Sequence, residues 1–191
     1  MRLKEKDDMI DQAGIMMAQG LGTASERIQG VNDNMSQSHY HEYFEIYYLE
    51  AGERFHMVED QLYHMEQGEF MIFPPYVMHH SYGEKNVPFK RLVLYFTPEE
   101  VLWPSILTEL KEEIGVYQVG IRERQEIHRL MEILLKEQNN PGLHHDEFNQ
   151  GIINVLLLLI LRQKHPERAS ENSSRIGEVI RYIHMHYQEE L

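Results

Sequence analysis

The heptapeptide "HYHEYFE" at residues 39–45 sets His39 and His41 two apart and Glu45 four residues beyond His41. On an extended strand, alternation puts His39, His41, Tyr43, Glu45 and Tyr47 on one face and Tyr40, Phe44, Ile46 and Tyr48 on the other. Two imidazoles so spaced can aim ring nitrogens at one point, and a carboxylate further along the same face can join them. A donor set of this kind suits a first-row divalent metal such as Zn, Ni, Fe or Mn. A second group, "GEFMIFPPYVMHHSY" at 68–82, runs a strand into a Pro-Pro turn that delivers His79 and His80. If the two strands are neighbours in a barrel, one of these histidines completes a set of three imidazoles and a carboxylate. The same side chains could instead line a cavity and hydrogen-bond an organic ligand. Tyr43, Tyr47, Met71 and Tyr95 are candidates for its walls, or for ordinary core.

Other histidines read more plainly. His144, His145 and Asp146 open a helix, where Asp146 complements the helix dipole. His184 and His186 lie two apart on a helix and do not share a face. His56 and His64 fall in adjoining strands of one hairpin and read as cross-strand neighbours.

Positioning these residues requires a β framework. Residues 1–34 read as an N-terminal arm with at most one short helix. Between about 39 and 96, short aromatic and β-branched runs alternate with turn signals at "EAGE", "VEDQ", "EQGE" and "FPPY". Spacing this close predicts antiparallel hairpins closing into a sandwich or barrel over 35–97. After "FTPEE" the period changes, and "EEVLWPSILTELKEEI", "RERQEIHRLMEILLKEQ" and "HDEFNQGIINVLLLLILRQK" predict helices over 98–164. The last of these is apolar around almost its whole circumference from Ile152 to Leu161. It must bury that surface, either against a second copy, giving a homodimer packed partly through 121–163, or against the barrel of its own chain. Residues 165–175 read as a linker. "RIGEVIRYIHMHYQEEL" follows as an amphipathic helix whose apolar stripe has nothing after Leu191 to pack on.

Composition limits the partners. Against 18 basic residues stand 31 acidic ones, a formal charge of −13 that repels phosphate backbones, so DNA contact is expected only through a domain beyond residue 191. With no cysteine, thiolate sites and disulfides are excluded, which is compatible with the cytoplasm. The charged N-terminus does not read as a secretory signal, and the longest apolar run, 152–161, is too short for a membrane span. No Gly-rich phosphate loop or nucleotide fingerprint is present.

The two histidine stretches resemble the two motifs of the cupin superfamily. The first, His-x-His followed by Glu and Gly, corresponds to His39, His41, Glu45 and Gly52. The second corresponds to Gly68, Pro74 and His79. The chain departs from the pattern at Asp33 and Tyr76, where the family has Gly, and at Gly83, where it has Asn. This resemblance implies His39, His41, Glu45 and His79 as metal ligands, with His80 turned away. More widely, "SHYHEYFEIYYLEAGERFHMVEDQLYHMEQGEFMIFPPYVMHHSY" and the helices after it resemble the effector-binding domain of AraC-type transcriptional regulators. "SSRIGEVIRYIHMHYQEEL" is similar to the opening helix of that family's DNA-binding domain.

The resemblance implies an antiparallel, jelly-roll-like cupin barrel followed by C-terminal helices. It implies a small-molecule effector bound in the barrel, a homodimer, and DNA binding through a C-terminal domain of which 165–191 holds only the linker and first helix. The alternative it leaves open is a metal-dependent cupin enzyme, a dioxygenase or isomerase, acting on a small polar substrate.

Overall fold

A computed structural model describes residues 11–31, 38–84, 86–112 and 114–162. In chain order these form helix α1 (Gln12–Ala18), strands β1 (Thr23–Val31), β2 (Phe44–Ala51), β3 (Glu53–Val58), β4 (Gln61–Glu66), β5 (Phe70–Phe73), β6 (His79–Tyr82) and β7 (Pro88–Phe96), then a 3-10 turn (Pro98–Glu100). Helix α2 (Pro104–Glu112), strand β8 (Val116–Tyr117), helix α3 (Ile121–Asn139) and helix α4 (His145–Leu161) complete them. The strands make two antiparallel sheets, one ordered β1-β7-β2-β5-β8 and the other β4-β3-β6. The fold is an antiparallel cupin-like barrel with helices, as the hairpin spacing predicts.

The larger sheet has no wet face over most of its width. Along β2, Phe44, Ile46 and Tyr48 pack outward with Leu92, Leu94 and Phe96 of β7 against Ile127, Met131 and Leu134 of α3 and Ile153, Leu156, Leu157 and Ile160 of α4. The alternate residues Tyr47 and Leu49 enter a second core inside the barrel with Met65, Met71, Phe73, Phe89, Val93 and Tyr95. Each fully buried side chain of this size stabilises the fold by roughly 1.5–3 kcal/mol. Two cores on one sheet explain why neither face of the "YFEIYYLE" run reads as polar.

At the turn between β2 and β3, Gly52 has φ +85°, and a Cβ there would lie 2.5 Å from the Pro88 carbonyl oxygen. Only glycine meets both demands, which accounts for the glycine that closes the first histidine motif.

Four local expectations are corrected. The strand pattern was expected to open at about residue 39, yet β1 pairs with β7 over nine residues, from Thr23↔Phe96 to Val31↔Pro88. Its inward residues include Ala24 and Gly30, and its outward ones Ser25 and Arg27, so no hydrophobic alternation betrays it. Arg27 instead bonds Glu50, and the Gln138 side-chain amide of α3 clasps the backbone of Ser25 at 2.6 and 2.9 Å. That clasp covers the free edge of β1.

Second, the strand carrying the first histidines starts at Phe44, and His39 is joined to His79 only by an isolated bridge. Third, the helix expected from Glu99 begins at Pro104, whose fixed φ suits a first helical position, and it ends at Glu112, before a short strand, β8, that the sequence pattern did not announce. Fourth, the β3–β4 register sets His56 opposite Tyr63 and His64 opposite Phe55, so the two histidines point to opposite faces.

Helix α4 buries Ile153, Leu156, Leu157 and Ile160 on the barrel of its own chain, while Phe148 and Val155 stay 44% and 49% exposed on its far side. The expected linker and final helix lie outside the described residues.

Candidate functional site at the barrel mouth

The segment leading into β2, the turn after β5 and the start of β6 meet at one end of the barrel. There His39, His41 and His79 bring one ring nitrogen each within 4.8 Å of one another. Glu45, 3% exposed, approaches two of them from β2: its Oε2 lies 3.1 Å from His41 Nε2 and 3.5 Å from His79 Nε2. The first of these is a hydrogen-bond distance and the second is too long for a good one, so the His79 Nε2 is buried without a hydrogen-bond partner.

The other ring nitrogens settle the chemistry of the facing ones. His41 Nδ1 lies 2.7 Å from the Tyr43 carbonyl oxygen and His79 Nδ1 lies 2.9 Å from that of Val77. A carbonyl only accepts, so both Nδ1 atoms carry the proton, and in the neutral ring each Nε2 presents a bare lone pair. Both lone pairs face the acceptor oxygens of Glu45. Such an arrangement requires a positive centre among them, either a proton on an imidazole or a metal ion. Backbone carbonyls that hold Nδ1–H are the usual means of orienting metal-binding imidazoles. The three imidazoles therefore fit the nitrogen ligands of a divalent ion, with the Glu45 carboxylate close to two of them.

The electrostatics agree. Burial alone would raise the Glu45 pKa, but the imidazoles of His41 and His79 outweigh it and hold the carboxyl well below its ordinary range. Burial, then the neighbouring His79, lowers the pKa of His39.

Aromatic rings fix the cluster. Tyr43 stacks on His41 with centroids 4.3 Å apart and planes 4° from parallel, Phe73 stacks on His79 at 4.3 Å, and Tyr95 lies 5.8 Å from His41. The Tyr95 hydroxyl donates to Asp11 Oδ2 at 3.1 Å, while Asp11 Oδ1 accepts from the Gly14 N–H as the N-cap of α1. Burial, aided by the Glu45 and Asp11 carboxylates, raises the Tyr95 pKa. Burial first and Asp11 second raise that of Tyr43.

Of the sequence-predicted site residues, His39, His41, Tyr43, Glu45, His79 and Tyr95 come together at this mouth. Tyr47 and Met71 lie deeper, paired in register across β2 and β5 and buried in the inner core. Spacing missed three contributors. Asp11 arrives from α1, and only its N-cap position before a helix could have marked it. Phe73 opens the "FPPY" turn signal, yet it is the last residue of β5.

His56, read as a hairpin neighbour, is the third. It sits 1% exposed against Tyr47 at 4.5 Å, and neither its ring nitrogens nor the Tyr47 hydroxyl has a hydrogen-bond partner among the described residues. Burial, with Arg54 close by, drives its pKa well below the ordinary imidazole value. His80 turns to the other face of β6, where its Nδ1 lies 3.2 Å from Ser38 Oγ.

Two further features frame the site. Beside the mouth a cleft of about 510 Å³ runs between Tyr43, the Pro75-Tyr76 turn, Glu99 and Lys111. Tyr76 takes a left-handed backbone, φ +66°, held by its N–H donating to the His41 carbonyl at 2.8 Å, at a cost of about 1–3 kcal/mol for a bulky residue. A second acidic and histidine group, Glu50, His128 and Glu132, lies on the outer surface where the sheet meets α3. There the Arg27 guanidinium bridges Glu50 and Glu132, and Lys90 lies 3.2 Å from Glu50, so cations of the chain already fill the position an ion would take.

Comparison with known proteins gives this site its setting. The sequence model of the AraC-like ligand binding domain matches residues 27–179. The chain belongs to that family. As an AraC-like ligand-binding domain it is 25% identical over 159 residues to the HTH-type transcriptional activator RhaS of Citrobacter koseri, covering 80% of this chain and 57% of the relative. The chain thus spans a little over half the length of that relative. The AraC-like transcriptional activator CuxR superposes on this domain with a TM-score of 0.52 at 10% identity, over 87% of this chain and 59% of that one. That likeness is one of fold. A cupin protein from Bacteroides fragilis aligns at 15% identity with a TM-score of 0.40, over 52% of this chain and 80% of that one. Among the described residues, no helix of this AraC-like domain is long and apolar enough to cross a membrane.

Proposed function

We propose that this AraC-like domain is the sensor of a cytoplasmic transcriptional regulator, and that it binds a small-molecule effector at the mouth of its barrel. The observation that carries the reading is that His39, His41 and His79 bring one ring nitrogen each within 4.8 Å of one another, while Glu45 lies 3.1 Å from His41 and 3.5 Å from His79. These four residues would hold a divalent metal. When bound, the metal supplies a Lewis-acidic position at which an effector's hydroxyl or carboxylate oxygen can ligate. Tyr43 and Tyr95 then orient that effector, and Asp11 ties the state of the pocket to α1. Tyr47, Met71 and His56 form the floor beneath.

Domain limits follow the same division, save that β1 moves from the arm into the barrel: an arm ahead of Thr23, the barrel from Thr23 to 97, a helical dimerisation region over 98–164, and from 165 onward a linker and the first helix of a DNA-binding domain. Two copies pack through the exposed side of α4. Effector binding shifts the population between arrangements of the arm and the dimer, and so the spacing of the DNA-binding halves. The domain senses rather than catalyses. The competing metal-dependent oxygenase or isomerase reading draws on the same ligand set, and it predicts turnover of a small polar substrate that disappears in His41→Ala.

The test is the metal content per chain of untagged protein by elemental mass spectrometry, beside a His39→Ala/His41→Ala variant. Near one equivalent in the parent and none in the variant is expected. No metal in either, even after Zn, Ni, Fe or Mn is added, would leave the histidines as the wall of a purely organic pocket.

A further inference from the structure

Two polar side chains deep in the barrel lack the partners that burial demands. His56 and Tyr47 are each 1% exposed, and their rings meet edge to face at 4.5 Å. Both ring nitrogens of His56 and the Tyr47 hydroxyl are buried without a hydrogen-bond partner among the described residues. Leaving a buried hydrogen-bonding group unpaired is costly, so three such atoms on two touching rings imply a bound species that satisfies them.

Register fixes their place. His56 of β3 is set opposite Ser81 of β6, and Tyr47 of β2 opposite Met71 of β5 and Val93 of β7, so the two rings reach inward from different sheets. Phe73, stacked on His79, lies 5.4 Å from His56. An apolar ring thus stands against both this spot and the histidine cluster at the mouth.

The charge around the pair selects what it would bind. Arg54, two residues before His56 on β3, is 2% exposed and bonds Ser81 Oγ at 3.1 and 3.2 Å, and the Arg91 guanidinium lies 5.3 Å from the centre of the Tyr47 ring. Burial first, with Arg54 and Arg91 adding to it, keeps the His56 imidazole neutral, so it offers one N–H beside the Tyr47 O–H. Two donors in the field of two guanidiniums favour an anion. The apolar walls, Leu49, Met65, Met71, Phe73 and Val93, hold no further donors, which disfavours an oxyanion with several acceptor oxygens to satisfy. A single-atom anion needs few donors and accepts from any direction.

The geometry points to a halide seat inside the barrel, in which a chloride ion accepts from the His56 N–H and the Tyr47 hydroxyl. The seat is independent of what binds at the mouth, and it makes a small inorganic anion a second ligand of the domain.

The melting temperature of the 191-residue chain tests it, followed as sodium chloride replaces sodium methanesulfonate, whose anion is too large for the seat, at constant ionic strength. The parent should gain stability along a saturating curve, as expected of a ligand that binds the folded state alone. Tyr47→Phe keeps the ring and removes only an unpaired hydroxyl, so it should fold like the parent in methanesulfonate yet need about tenfold more chloride, or above, for half the effect. His56→Leu should lose the response, and the broadening of the chloride NMR line by the protein should follow the same order. A parent indifferent to the exchange overturns the inference, since buried water would then satisfy the same atoms. A chloride response that Tyr47→Phe and His56→Leu share with the parent means an adventitious ion only and overturns it as well. A response kept in Tyr47→Phe but lost in His39→Ala/His41→Ala puts the anion on a metal at the mouth, which sinks the halide seat and leaves the sensor standing.

Discussion

At the scale of single residues, the site turns on where protons are. His41 and His79 give their Nδ1 protons to backbone carbonyls, and Glu45 faces the nitrogens that remain. Replacing Glu45 by Gln removes the negative oxygen but keeps the shape, so Glu45→Gln should lower metal affinity by about tenfold or more, read by competition with a chelating dye. His56 carries a different consequence. Its folded pKa lies well below the ordinary 6.5, so the folded state binds fewer protons than the unfolded one wherever the unfolded imidazole titrates. Stability from this residue is therefore present above about pH 6.5 and lost as the pH falls below it, with a slope of up to about 1.4 kcal/mol per pH unit. Urea midpoints at about pH 7.5 and about pH 5.5 should fall less in His56→Leu than in the parent, and equal falls would assign the acid sensitivity elsewhere. The meeting of His39, His41, Glu45 and His79 at one end of the barrel was legible in the sequence because each belongs to a short motif. His56 and Asp11 were not, because one depends on the register of a hairpin and the other on where a distant helix docks.

Among the elements, β2, α3 and α4 decide how the barrel holds its helices. Leu157 is fully buried between α4 and the sheet. Leu157→Ala should cost about 2–5 kcal/mol in urea denaturation, and a loss below about 1 kcal/mol would mean that α4 is not docked as described. The polar counterpart is Glu50, which meets Arg27 at 2.8 Å, Lys90 at 3.2 Å and His128 at 2.6 Å, tying β1, β7 and α3 to β2. Burial would raise the Glu50 pKa, but the hydrogen bonds from Arg27, His128 and Lys90 outweigh it and hold it below its usual value. Glu50→Gln strands the Arg27 and Lys90 cations and should destabilise the chain by about 1–3 kcal/mol, an effect that added salt weakens. Helices α3 and α4 were readable from period alone, and so were the hairpins from their turns. Strand β1 escaped because its outward side is polar: Ser25 and Arg27 are covered by Gln138 and Glu132 of α3, and a strand that buries polar groups against a helix leaves no alternation to read.

For the molecule as a whole, charge and the exposed side of α4 set what it can do. With a net charge of −13, the 191-residue chain should show no sequence-specific DNA affinity at physiological salt, and nanomolar specific binding in a gel-shift assay would contradict the division of labour proposed here. Phe148 and Val155 offer an apolar stripe on α4. Val155→Glu should convert a dimer to a monomer in sedimentation velocity without lowering the melting temperature, whereas a parent that is already monomeric would remove the dimer from the mechanism. The strand that carries Glu45 adds a consequence in time. Because β2 packs one side into the barrel and the other against the helices, solvent can reach its amide hydrogens only when both cores open together. Those amides should exchange with deuterium at the rate of global unfolding while the segment before Phe44 exchanges far sooner. On that expectation the carboxylate of the site opens only with the whole molecule, while His39 and His41 precede the strand and His39 is held by its bridge to His79 alone.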